Sequence, residues 1–195
     1  MGGSGIANPG KAANRDLRTR KLSIREVYDR LASERDEWIG RNPYYYENEL
    51  RFLRFLVPEG SNILELGCGT GRLLAALKPA RGVGVDFSER MIEVARQEHS
   101  NLEFHVGDIE DPETIAALNG PFDAIILSDT IGFLDDCEAT IAGLESLCSS
   151  HTRLIVAYYS HLWEPILNLA EICRAKMPMA GLNWLSTSDI INLLD

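Results

Sequence analysis

Residues 63 to 71 read Ile-Leu-Glu-Leu-Gly-Cys-Gly-Thr-Gly, a short apolar stretch ending in an acid and running into three glycines at alternate positions. Glycine admits φ > 0 and carries no Cβ, so a ligand can lie directly against such a turn. Arg72 to Leu77 follows with helical composition, and its first N–H groups face the same spot. Strand, glycine turn and helix together predict the opening unit of an α/β fold built around a nucleotide-like ligand. The spacing departs from the dinucleotide pattern G-x-G-x-x-G/A, because Arg72 fills the slot of the third glycine. No G-x-x-x-x-G-K-[ST] loop for a nucleoside triphosphate is present.

Three further apolar runs end in polar groups at the expected places. Asp86 closes the run from Arg81, where a carboxylate can accept from both hydroxyls of a ribose. Asp108 closes Leu102 to Asp108, and Ser128 lies near the end of Phe122 to Asp129. Glu65 to Gly71 resembles the first motif of class I S-adenosylmethionine (SAM)-dependent methyltransferases, and the other runs resemble its later motifs in order, over roughly residues 60 to 160. The resemblance implies that SAM is the cofactor and that Glu65 helps to hold its methionine ammonium. It implies that the loop of Gly67, Cys68, Gly69 and Gly71 accommodates the cofactor, and that Asp86 holds the ribose. Asp108 would meet the adenine amino group and the Ile109 N–H a ring nitrogen, with Phe87, Met91 and Ser128 completing the set.

Strand patterns alternating with helix patterns predict a mostly parallel, doubly wound, Rossmann-like sheet of order 3-2-1-4-5. Helices are expected over Ser23 to Trp38, Tyr45 to Val57, Glu89 to Glu98 with Ser88 as N-cap, Ala139 to Cys148 and Leu162 to Lys176. The fifth strand is expected over Thr152 to Tyr159. The organisation expected is a flexible basic tail over 1–21, N-terminal lid helices over 22–57 and a SAM-binding core over 58–195. In the resembled family two further strands, six and seven, follow; no strand-like segment remains here after the Ser186 to Leu194 helix pattern. Five strands with an open edge at the fifth, in a C-terminally incomplete core, are therefore expected.

The net charge is −10, although Lys11, Arg15, Arg18, Arg20 and Lys21 make the first residues basic. An acidic body repels phosphate backbones, so a nucleic-acid partner is not expected. No run approaches the length of a membrane span, and no secretory apolar region follows Met1, so stable membrane insertion is not expected and a cytoplasmic location is. Cys68, Cys137, Cys148 and Cys173 show no metal-ligand spacing, so no metal is expected. A homo-oligomer stays open.

On the acceptor side the residues are less specific. His161 is the candidate general base for a hydroxyl acceptor, because an ordinary imidazole titrates near neutrality. Tyr28 is the second candidate, and Tyr44, Tyr45, Tyr46, Tyr158, Tyr159 and Trp163 border the same region. Val27 to Ala32 is similar to the N-terminal opening of small-molecule methyltransferases. The segments from His161 and from Asn183 resemble bacterial methyltransferases associated with glycosyltransferases. The function expected is methyl transfer by in-line displacement to a small metabolite or saccharide. A nicotinamide-dependent oxidoreductase and a non-catalytic SAM-binding module are the alternatives.

Overall fold

The computed structural model describes residues 9–158, 164–172, 177, 183 and 185–194. Strands β1 (Asn62–Leu66), β2 (Arg81–Asp86), β3 (Glu103–Val106), β4 (Ala124–Ser128) and β5 (Arg153–Ala157) form one sheet in the order β3-β2-β1-β4-β5. Every pairing is parallel. The strand order runs outward both ways from β1 and β4, and this switch point opens a crevice at the strand C-termini, the usual ligand position in such sheets. Among the described residues β5 pairs with β4 alone, so the sheet has five strands and an edge at β5, as expected.

The sheet is buried because its central strands are apolar on both faces. Ile63, Leu64, Leu66, Val85, Ile125, Ile126 and Leu127 are fully buried. One face packs on Ile115, Phe122, Leu144 and Ile190, and the other on Leu53, Leu74, Ile92 and Phe104. Between the strands lie α4 (Arg72–Ala76), α5 (Glu89–Glu98), α6 (Pro112–Ala116) and α7 (Cys137–Gly143), with α8 (Glu164–Ile172) and α9 (Thr187–Leu194) after β5. Ser88 caps α5 by accepting from Met91 N at 3.2 Å. Ser186 and Asp189 form the reciprocal box at the start of α9, at 2.8 and 3.2 Å. The helix expected over Ala139 to Cys148 starts at Cys137 and tightens into a 3-10 turn over Leu144–Leu147.

The N-terminal region differs from expectation in two ways. Helix α1 runs Pro9–Leu31, so the boundary expected at residue 21 falls inside a helix and not at the end of a tail. The single helix expected over Ser23 to Trp38 is two: α1 ends at Leu31, residues 32–34 form a turn, and α2 (Arg35–Arg41) follows. Helix α3 (Pro43–Leu56) follows with Pro43 in its first turn, where a missing N–H costs nothing. Ile24, Tyr28 and Ala32 of α1 bury against Met91, and Asp29 accepts from Ser88 Oγ at 2.6 Å, fixing α1 over the start of α5.

Candidate active site

The crevice over the strand ends is floored by the glycine turn. Gly67, Gly69 and Gly71 have φ of 78°, 53° and 74°. At Gly67 an added Cβ would run into Thr130, and at Gly69 it would come within 2.7 Å of Arg35 Nε. Glycine at 67 is thus required by the protein's own packing as well as by its backbone. Gly71 lines neither cavity of the crevice; it starts α4 under Phe104. Cys68 is buried, and its thiol packs on the Gly84 backbone in the core. Of these two positions expected in the cofactor set, Cys68 also borders the second cavity and Gly71 supports the turn from behind.

Two cavities meet over this floor. Tyr28, Gly67, Gly69, Asp86, Phe87, Met91, Asp108, Ile109 and Ser128 all line the first. Glu65, Gly67, Cys68 and Ser128 line the second, with Tyr46, Glu49 and Arg72. Arg35, Tyr46, Gly67, Ser128 and Asp129 belong to both. Ten of the expected cofactor positions are therefore brought together, and Gly71 stands behind them. His161, Tyr159 and Trp163 lie outside the described residues. Tyr44 is exposed, and Tyr158 borders a separate groove beside β5 and α3.

The acids of the crevice are held by backbone and side-chain donors. Asp86 is buried and accepts from Gly69 N at 2.8 Å and Ser88 N at 2.9 Å. Burial pushes its carboxyl up despite these bonds. Glu65 is buried beneath the turn and accepts from Leu74 N at 3.0 Å, satisfying a free N–H of α4. Burial, with Glu49 adding to it, pushes the Glu65 carboxyl up to about 8. Glu49 of α3 takes a short hydrogen bond from Ser128 Oγ. Asp129 stands just past β4 at φ 52°, unusual for a residue other than glycine, and accepts from Tyr45 OH at 3.3 Å. Such strained positions cluster at working sites.

Helix α1 roofs the first cavity. Lys21 Nζ lies 2.5 Å from Asp108 and 2.7 Å from Glu110, and Arg20 pairs with Asp135. Tyr28 sits edge-on to Phe133 with ring centres 5.6 Å apart, and Phe87 is 6.3 Å away on another side. Burial pushes its phenol pKa up, Arg35 opposing and Asp86 adding. The phenol of Tyr28 is therefore neutral at physiological pH. Arg35, Glu49, Asp129 and Lys21 were not selected as site residues from the sequence. The strained Asp129 ends a strand pattern that was visible, whereas the others carry no local motif.

The residues match the regions of one ligand. A turn without side chains, a carboxylate at the β2 tip and an apolar slot of Ile24, Met91, Ile109 and Leu134 suit an adenosine with a charged extension. Residues 58–190 match the family model described as a methyltransferase domain. The chain belongs to this methyltransferase family. It resembles a SAM-dependent methyltransferase, possible histamine N-methyltransferase, of Thermotoga maritima at 25% identity and TM-score 0.72, over 88% of this chain and 78% of that one. It is 34% identical over 123 residues to the malonyl-[acyl-carrier protein] O-methyltransferase of Acetivibrio thermocellus, covering 60% of this chain and 42% of that protein. It is 31% identical over 103 residues to the dTDP-4-amino-2,3,4,6-tetradeoxy-D-glucose N,N-dimethyltransferase of Saccharopolyspora spinosa, covering 51% and 38%. The matched stretch thus spans less than half of these two curated relatives. Fold and family together make this a class I SAM-dependent methyltransferase domain with SAM as its cofactor. No described helix is long and apolar enough to cross a membrane.

Proposed function

We propose that this domain moves the SAM methyl group to a small metabolite or saccharide acceptor. The observation that carries this reading is the roofed shape of the site. Helices α1 to α3 supply Ile24, Tyr28, Arg35, Tyr46 and Glu49 over the strand ends, leaving partly covered cavities in place of a flat face for a polymer. The amino-sugar methyltransferase among the relatives supports the saccharide branch. Under this reading the ribose falls to Asp86, the adenine to Asp108 and Ile109, and the methionine ammonium to Glu65. SAM supplies an electrophilic methyl on a sulfonium. The chain supplies position, since in-line displacement needs donor carbon and nucleophile about 3–3.5 Å apart. A tritiated-methyl assay against pools of small metabolites and sugar nucleotides tests this; label confined to macromolecules would refute it.

The Glu65 assignment has a pH signature. In the free domain its carboxyl, raised to about 8, keeps its proton at neutral pH. An ammonium placed against it favours the ionised form, so binding releases a proton. SAM affinity is expected to climb between about pH 6 and pH 7.5, by at most about tenfold per unit, and to flatten above the carboxyl's own pKa. Calorimetry in buffers of different ionisation enthalpy reads both the slope and the released proton. Glu65→Gln should flatten the profile, and a flat profile in the native chain would remove Glu65 from this role.

Tyr28 belongs with the cofactor by position, because it shares a cavity with Asp86 and Asp108. Tyr28→Ala is expected to weaken S-adenosylhomocysteine (SAH) binding roughly three- to tenfold through lost aromatic packing. Tyr28→Phe should leave it nearly unchanged. Full SAH affinity with slowed turnover in Tyr28→Ala would return Tyr28 to the acceptor side.

A further inference from the structure

We infer that Arg35 holds the carboxylate at the methionine end of SAM and selects for it. The inference rests on the SAM reading above and goes beyond it, since no cofactor motif contains this residue. The crevice is acidic: Asp86 lines the first cavity, Glu49 and Glu65 the second, and Asp129 both. By charge alone such a site favours the most cationic ligand and opposes any carboxylate. SAM carries one, so a cation must meet it.

Among the described residues three cations line the cavities: Lys21, Arg35 and Arg72. Lys21 is occupied by Asp108 and Glu110 at the other end of the crevice, and Arg72 is exposed on the outer wall. Arg35 alone borders both cavities. Its guanidinium lies on the glycine turn, with Nε, Cζ and Nη2 at 2.7, 3.0 and 3.2 Å from where a Gly69 Cβ would stand. The next residue fixes this placement, since Asp36 accepts from Thr70 Oγ1 at 2.9 Å and ties the start of α2 to the turn.

The neighbouring acids are turned to other donors. Asp86 faces Gly69 N and Ser88 N, Glu65 faces Leu74 N, and Glu49 faces Ser128. Among the described residues Arg35 forms no hydrogen bond or ion pair of its own. Desolvation works against its charge, but the surrounding groups, Asp86 among them, outweigh it, so the guanidinium stays charged. A charged, partly buried fork with unused donors matches a carboxylate in shape and in sign.

The test compares SAM with decarboxylated SAM, which lacks only the carboxylate, by calorimetry on the native chain, Arg35→Met and Arg35→Lys. The native chain should prefer SAM by about 10- to 100-fold, the range for a charge-assisted contact. Arg35→Met should lose that factor for SAM, bind decarboxylated SAM no more weakly than the native chain, and so reverse the preference. Arg35→Lys, which keeps the charge without the fork, should fall between. The preference within one protein sample does not depend on the fraction folded, so a destabilised variant still reports. Equal losses for both ligands, or an unchanged preference, would overturn the assignment while leaving the SAM reading intact. A native chain that binds neither ligand would overturn both.

Discussion

Gly69→Val is expected to reduce SAM and SAH affinity by about 100-fold or more and to lower stability by about 1–3 kcal/mol, the range for strain at a left-handed residue. The backbone at Gly69 has φ 53°, which a β-branched residue strongly resists. The new side chain would also meet Arg35 Nε within 2.7 Å, on the surface where the ligand must lie. Its effects separate by measurement. Thermal melting reads the strain, and calorimetry on the folded fraction reads the lost affinity. Gly69→Ala should show a weaker form of both. Normal affinity in Gly69→Val would mean that the glycine turn is not the floor of the cofactor site.

Asp86→Ala carries the second largest expectation, a loss of about 1.5–3 kcal/mol in SAM binding, or roughly 10- to 150-fold. The carboxylate has two tasks. Under the proposed reading it meets the ribose, and it holds the glycine turn and the start of α5 through Gly69 N and Ser88 N. Removing it leaves two buried N–H groups without partners, so stability should fall as well, by about 1–3 kcal/mol for each group left unsatisfied. Asp86→Asn separates the tasks: it retains an acceptor for one N–H and loses the charge. Unchanged SAM affinity in Asp86→Ala, with native circular dichroism, would sink the ribose assignment.

The strand tips were legible in the sequence because each rests on a local pattern. An apolar run ends in Glu65, Asp86, Asp108 or Ser128, and the parallel order then carries all four to one crevice. The caps at Ser88 and Ser186 were legible for the same reason, since a side chain and an N–H three residues on form a local unit. The roof was not. Leu31 to Arg35 contains neither glycine nor proline, and the helix pattern runs through it without interruption. The chain turns there because Ala32 buries against α5 and Asp36 reaches Thr70, contacts made only once the sheet exists. Arg35 and Glu49 take their roles from that docking, so nothing near them in the sequence announces it. Of the motif's turn, Gly67, Gly69 and Cys68 line the cavities, while Gly71 stands at the start of α4 behind them.

The roof over the adenosine end is fastened in two ways that respond oppositely to the medium. Lys21 and Arg20 hold by charge to Asp108, Glu110 and Asp135, which dissolved salt screens. Ile24 and Tyr28 hold by burial against Met91 and Phe133, which strongly hydrated salts such as sulfate reinforce. A strongly hydrated salt such as sulfate therefore loosens the first fastening while tightening the second.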